Sequence, residues 1–461
     1  MSIMVGRSPH SISDVVDHVL TIHRSVGAHS LSIWTHHLTN IEFVSWNGSE
    51  DAVIIGSGWR YGDAYDIVYK HGHTLAGGGD RSVGLGGHIQ GGGHGPFSSH
   101  YGLAADQIFQ ATVAMSEGKL LVANEHQHQD LLFAIRGGGG GQYGVVTEYV
   151  LKLHPRPKIT LTGQLTMYCA SNSTENNKTW SNLAAVMSGL PALMDDGITG
   201  SLVAATGGSA LAWIPTLRTA PAGVAFIAQL IAYNTSIEIM NARMSTFISG
   251  IAESYDDDPS ISFTWTGAIL SNASFPSTVP GGVGAIAGGG NVMSSRLLGR
   301  ADLSLPTNVL VAHLRSVMYS PTNTGLLIAG LQGGKGVMRV PKHMRGAVNP
   351  VWRMTYLHVM SYTVPLDSTL SPKAALAKAG QWAEVHIERA WRKWAPFTGA
   401  YMNEANPFNS EWKHDFYGIY YDKLLSIKRK YDPSESLFVL TGVGTDLWDY
   451  DLDSGRLCRI C

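Results

Sequence analysis

AGGGDRSVGLGGHIQGGGHGPFSSHYGLAADQ, residues Ala76 to Gln107, carries ten glycines between Gly77 and Gly95. Successive backbone N–H groups without Cβ atoms make anion-binding concavities and let a flat ring system or a pyrophosphate lie directly on the main chain. A dinucleotide cofactor fits that chemistry. A flexible linker would be Gly and Ser throughout, whereas this block holds His88, His94, Phe97, Tyr101 and an apolar Leu-Ala-Ala. A second block, RGGGGGQYGVVT from Arg136 to Thr147, contains a formal G-x-G-x-x-G at Gly139, Gly141 and Gly144. It is not a Rossmann fingerprint. It follows the helix-like DLLFAIR, opens a strand, and has no acid near Gln164, about 20 residues on, where such a fingerprint needs one. No Gly-Lys-[Ser/Thr] follows either block, which excludes a Walker A loop.

Working outward, 461 residues are enough for two or three cooperating units. A net charge of −2 and no long Lys/Arg run leave no basic field for a phosphate backbone, so no nucleic-acid partner is expected. The longest apolar region, Ser201 to Tyr233, is broken by Gly207, Gly208, Pro215, Arg218 and Pro221. No uninterrupted stretch reaches the ~18 residues of a spanning helix, and no membrane partner is expected. Cys169, Cys458 and Cys461 are too few for a disulfide framework, and the terminal C-x-x-C reads as two free thiols. Sequons at Asn47, Asn172, Asn177, Asn234 and Asn272 suit secretion, yet Met1 to Arg7 is not a signal peptide, so localisation stays open.

Ala52 to Ser57 and Ile108 to Met115 read as short apolar strands, and the alternation in VVTEYVLKLHP reads as a half-buried strand ended by Pro155 and Pro157. Beyond it, strand-like stretches (Ile159 to Tyr168, Gly223 to Tyr233, Thr355 to Tyr362) interleave with helix-like ones (Trp180 to Leu190, Ser236 to Glu253, Ala374 to Lys393). Without a repeating β-then-α unit, this predicts an antiparallel sheet covered on one face by helices. After Tyr401 a further helix is predicted, with Phe416, Tyr420 and Leu424 on one face and Asp432-Pro433 as its stop.

These blocks, with SLSIWTHHL (Ser30 to Leu38), VNPVWR (Val348 to Arg353), YMNEA (Tyr401 to Ala405) and FYGIYYDKLLSIKRKYDP (Phe416 to Pro433), resemble the berberine-bridge-enzyme-like family in its filamentous-fungal form. That family lies within the vanillyl-alcohol-oxidase (PCMH) type of FAD proteins. The resemblance implies an α+β fold with a split PCMH-type FAD-binding domain, residues 1–157, and a C-terminal segment, 396–461, that returns to it. An antiparallel-sheet substrate domain covered by helices, 158–395, lies between. Carried over by position, Gly84, Gly86 and Gly87 wrap the isoalloxazine and His88 meets its edge or ribityl chain. Gly102, Leu103 and Asp106 line the adenosine side, Gly141, Gly144 and Val146 close over the cofactor, and Asn403 and Tyr421 meet it from the C-terminal segment. Val83 is the small gate that governs oxygen access.

The sequence departs from the family where the flavin is anchored. Where a V-x-x-x-G-H-[DS]-x-x-G-[RK]-S loop is expected, HVLTIHRS (His18 to Ser25) stands without the flanking glycines, and SPHSISDVVDHVL before it reads as a helix capped by Ser11 or Ser13. Asp80 occupies the position of the Cys that forms a thioether, and a carboxylate cannot form one. FAD is therefore expected to be non-covalent and weakly held. Trp352 replaces the His that plant members carry before Arg353, and Tyr420 replaces the usual Asn, so the family's acid–base arrangement does not transfer. Tyr401 and Glu404, which flank Asn403, are the candidate catalytic groups, because burial can move a carboxyl or phenol pKa into a useful range. His71/His73 and His126/His128 place imidazoles in pairs on a strand face but lack a third ligand, so no metal is expected. The leading reading is an FAD-dependent oxidase that uses O2 and acts on a small-molecule secondary metabolite. A non-redox isomerase or cyclase on the same fold, and a flavin-deficient remnant, are the alternatives.

Overall fold

The strand legible at Val145 to Lys152 is the centre of a five-stranded antiparallel sheet. A computed structural model describes residues 4–5, 33–169, 176–252, 260–271, 291–451, 454 and 456–460. His18, the capped helix expected at Ser11 or Ser13, the sequons at Asn172 and Asn272, and Cys461 lie outside them. The sheet runs β1 (Ile41–Trp46), β2 (Glu50–Gly56), β5 (Val145–Lys152), β3 (Ile108–Ala114), β4 (Leu120–Ala123). Because side chains alternate across a strand, Val53 and Ile55 fall on one buried face with Tyr149 and Leu151, and a register shift between Val146 and Glu148 puts Val146 there too, with Tyr61, Ala64, Tyr65 and Val68 of helix α1 (Tyr61–Lys70) packed into the same core. Ala52, Phe109 and Val150, on the other face, meet Val340 and Met344 of the second unit.

The second unit is built on an eight-stranded antiparallel sheet. Seven strands run in the order β9 (Ile261–Trp265), β6 (Thr160–Cys169), β8 (Val224–Tyr233), β7 (Ile198–Thr206), β11 (Leu326–Leu331), β12 (Thr355–Pro365), β10 (Asn291–Gly299), and Ile269–Leu270 adds a short pairing to β6. Leu202, Ala204, Phe226, Ala228, Leu357 and Val359 point to a layer that includes Leu183 and Met187, Met240 and Met244, and Leu310 and Leu314. These residues come from helices Asn177–Asp195, Ile237–Ala252 and Thr307–Val317. The predicted helix-covered antiparallel sheet is thus observed. His358, between Leu357 and Val359, faces the opposite way, toward the first unit, by the same alternation.

Two predicted helices have internal breaks. The stretch expected as one helix over Ala374 to Lys393 is Pro372–Ala383, a wider π turn at Glu384–Glu388, and Arg389–Trp394. The C-terminal helix begins only at Tyr421 and runs to Tyr431, because Lys413–Tyr417 is a π turn and Gly418 takes φ +54, which a helix cannot use. Phe416, Tyr417, Leu424 and Ile427 nevertheless join the core of the first unit, so the C-terminal segment folds back onto it. Among the described residues, no helix is long and apolar enough to cross a membrane.

Candidate active site

GGHIQ folds as the fully buried helix α2 (Leu85–Gln90). The chain then turns through Gly92, φ +120, and Gly93, φ +72, which L side chains rarely adopt. That turn brings LAA back over the glycines: Ala104 N–H donates to Gly93 O at 2.7 Å and Ala105 N–H to Gly92 O at 2.8 Å. The second glycine block arrives at the same place. Gly139 N–H donates to Gln90 O at 2.8 Å, and a Cβ on Gly140 would lie 3.7 Å from Gly87 Cα and from Gln90 Cβ. From the C-terminal segment, Asn403 donates through Nδ2 to Gly87 O at 3.2 Å and to Tyr401 Oη at 2.7 Å. The two bare main chains pack directly on each other with an amide at their edge, and glycines at such a place let a flat ring or a pyrophosphate approach the backbone; Gly86, Gly87, His88 and Asn403 are the residues here that would hold FAD.

His88 is locked in one tautomer. Its Nε2 faces His94 O at 2.9 Å, an acceptor only, so Nε2 carries the proton and Nδ1 accepts from Tyr61 Oη at 2.9 Å. Burial holds the Tyr61 phenol well above its ordinary pKa, so it stays a donor.

His94 connects these glycine blocks to a buried polar cluster. Its Nε2 lies 3.0 Å from Glu404 Oε2, and His358 Nδ1 lies 3.4 Å from the same oxygen. His358 is fully buried and, among the described residues, neither of its ring nitrogens has a hydrogen-bond partner, nor has His94 Nδ1. Burial, and next the His94 charge, push His358 down to about 3 against the pull of Glu404, so it is a neutral base. Trp352 and Tyr401 wall the cluster, with ring centroids 6.2 and 5.0 Å from His94. Tyr362 stays neutral because burial, then the Glu404 charge, raise its pKa. The site therefore joins three distant parts of the chain: the first glycine block, β12 with the VNPVWR turn, and YMNEA.

Of the residues singled out in the sequence, Gly86, Gly87, His88, Tyr401, Asn403 and Glu404 come together here. Val83 is buried just before α2, its carbonyl bonded to Tyr61 N–H, and Gly84 bridges Arg60. Gly102, φ +98, and Leu103 lead into Asp106, whose carboxylate caps Leu103 N–H at 2.9 Å and takes both ends of the Arg353 guanidinium at 2.8 and 2.6 Å. Val146 pairs with Val113 in the sheet, and Gly144, just before that strand, packs against the Val113 side chain. Gly141 takes φ +73. Tyr421 Oη donates to Asp446 at 2.7 Å and accepts from Gly444 N–H at 3.2 Å, within the C-terminal segment. Asp80 forms a local turn and accepts from Ser82 N–H and Oγ at 2.7 and 2.6 Å. The expected histidine pairs do not share strand faces. His71 caps α1 while His73 pairs with Asp51, and His126 and His128 sit in the turn before the helix Gln129–Ile135. Tyr61, His94 and His358 were not assigned roles from the sequence. His94 lay in view inside the glycine block, but its partners are 264 and 310 positions away along the chain, and no local pattern announces them.

Two glycine blocks packed together in an α+β unit, beside a helix-covered antiparallel sheet, go with a flavoprotein of the vanillyl-alcohol-oxidase type. The chain belongs to the FAD-linked oxidoreductases of the berberine-bridge kind: residues 19–124 match the family described as FAD binding domain, and 400–439 that described as berberine and berberine like. It is 30% identical over 453 residues to an uncharacterized FAD-linked oxidoreductase of Arthroderma benhamiae, across 95% of this chain and 73% of that protein. It is likewise 30% identical over 453 residues to the VAO-type flavoprotein oxidase VAO615 of Thermothelomyces thermophilus, across 95% of this chain and 72% of that one. Its fold resembles the crystal structure of the VAO-type flavoprotein MtVAO713 from Myceliophthora thermophila C1, with a TM-score of 0.82 at 24% identity over 94% of this chain and 75% of that one. The protein is therefore an enzyme, an FAD-linked oxidoreductase.

Proposed function

We propose that this enzyme oxidises a small-molecule secondary metabolite at a carbon bearing oxygen or nitrogen, that Glu404 receives the substrate proton, and that O2 is the final acceptor. The observation that carries this reading is the Glu404 carboxylate, buried, bonded to His94 Nε2 at 3.0 Å, and one residue from the Asn403 amide seated on Gly87. FAD, when bound, supplies the two-electron acceptor for the substrate carbon. The chain supplies the rest. Asn403 and Tyr401 fix the edge of the glycine blocks through their mutual hydrogen bond. Trp352 and Tyr401 keep water from the carboxylate, which strengthens its interaction with a developing positive charge. His94 holds the oxygen Glu404 Oε2 in one orientation, and its carbonyl ties that orientation to His88.

The test is Glu404→Gln in flavin-loaded enzyme, assayed by anaerobic single-turnover reduction with a panel of alcohols and amines. Positioned proton transfer contributes about 10²–10⁴-fold to rate, so a loss of that size with flavin content unchanged is expected. An unchanged reduction rate would remove Glu404 from the chemistry. Turnover by protein stripped of flavin would assign the fold a non-redox isomerisation instead.

A further inference from the structure

We infer that His94, His358 and Glu404 form a binding site for a borderline divalent cation of the zinc class. The donor atoms of the three side chains all lie within 4.8 Å of one another. Glu404 Oε2 stands 3.0 Å from His94 Nε2 and 3.4 Å from His358 Nδ1. A tetrahedral zinc ion with bonds of about 2.0–2.1 Å separates its ligand atoms by roughly 3.4 Å, so the spacing on both edges is already close to that of ligands sharing one ion. Two imidazoles and one carboxylate are the donor set that suits zinc over calcium or magnesium, which take oxygen, and over the metals that select thiolates.

A second, independent observation points the same way. His358 is fully buried and, among the described residues, no hydrogen bond reaches either of its nitrogens. Buried polar atoms are nearly always partnered, and one aimed at a carboxylate without a hydrogen bond calls for a missing partner between them. A cation in the gap gives His358 Nδ1 the partner it lacks, takes His94 Nε2 over from its hydrogen bond to Glu404, and neutralises the buried carboxylate. His358 stands on β12, where Gly330 on one side and Leu297 on the other hold its register, so the ligand is presented by a rigid strand. Three protein ligands leave a fourth position for water or for a substrate heteroatom.

Occupancy carries a consequence that rests on the proton-accepting role proposed for Glu404: a metal-bound carboxylate is no longer free to receive a proton, so zinc should inhibit substrate oxidation. Binding itself does not depend on that role. The experiment is titration of chelator-stripped, flavin-loaded enzyme with Co2+, followed by its d–d absorption and by competition with Zn2+. One Co2+ per chain with a low-coordinate spectrum is expected, displaced by Zn2+, and weakened at least about tenfold by His358→Gln and by Glu404→Gln. Should His358→Gln fail to fold, as judged by Tm, His94→Gln reads the same site. The absence of saturable Co2+ binding overturns the inference. So does binding that survives two of these substitutions, which would assign the ion to the exposed rings of His36 and His37. One-to-one binding with undiminished substrate oxidation supports the metal site and overturns the role proposed for Glu404, so the two failures are distinguishable.

Discussion

Gly91 shows how little room the glycine blocks leave. Its backbone is an ordinary right-handed turn that alanine adopts without strain, but a Cβ there would lie 2.3 Å from Asn403 Nδ2 and 2.4 Å from Oδ1. Gly91→Ala must therefore push the Asn403 amide off Gly87 O. Losing one such hydrogen bond is worth about 0.5–1.5 kcal/mol, so FAD affinity should fall by up to about tenfold with the fold intact, measured by calorimetric titration of FAD into apoprotein; unchanged affinity would place the cofactor away from Asn403. Val83→Leu, three residues after Asp80, should alter the rate at which reduced enzyme reoxidises in air, read by stopped-flow absorbance. An unaltered rate would remove the gate role carried to Val83 by resemblance. At this scale the sequence was informative wherever chemistry is local, as in the glycines of GGHIQGGGHG. It was silent about Tyr61 and His358, because a Tyr at a helix start and a His inside an apolar strand look the same whether they face a site or a core.

The π turn Glu384–Glu388 places Glu388 beneath the strand β10. Ser294 Oγ donates to its Oε1 at 2.7 Å, while Oε2 has no hydrogen bond among the described residues. Burial, with the Asp415 charge adding to it, pushes Glu388 from 4.5 up to about 7, against the Ser294 hydrogen bond and the Arg392 and Arg296 charges. The sign follows from the proton count: between pH 4.5 and 7 the folded state keeps a proton that the unfolded state has released. Stability therefore falls as pH rises through that window, by up to about 3 kcal/mol. Glu388→Gln should flatten this part of the Tm-against-pH curve and raise Tm above pH 7; a variant with the wild-type slope would show that Glu388 is ionised when folded. Elements were legible where periodicity is strong, as in β5 and β8, both found within a residue or two of expectation. The breaks at Glu384–Glu388 and Gly418 were not, because a π turn preserves an apolar pattern closely enough to read as unbroken helix.

Leu424 ties the two ends of the chain together. It is fully buried in the core of the first unit, and its Cδ2 sits 2.9 Å from where a Cβ on Gly138 would lie, against the second glycine block. Leu424→Ala should cost about 2–5 kcal/mol of stability and loosen FAD as well, seen as a lower Tm together with earlier flavin release on heating. A stability loss without flavin release would uncouple the C-terminal segment from the cofactor. The helix-covered antiparallel sheet was readable from the order of strand and helix patterns, since that stretch lacks any β-then-α repeat, whereas the split of the first unit was implied only by the family resemblance. How the units face each other was not, because the seam joins residues far apart in the chain, such as Asp106 with Arg353 and Phe109 with Val340 and Met344. The most direct test of the central claim is the visible spectrum of the purified, FAD-supplemented protein, recorded before and after acid precipitation and during anaerobic exposure to candidate substrates. One FAD per chain, bleached by a substrate and left in the supernatant by acid because Asp80 offers no thioether and HVLTIHRS lacks the glycines of the histidine loop, is the predicted result. A protein that stays colourless with excess FAD would contradict it.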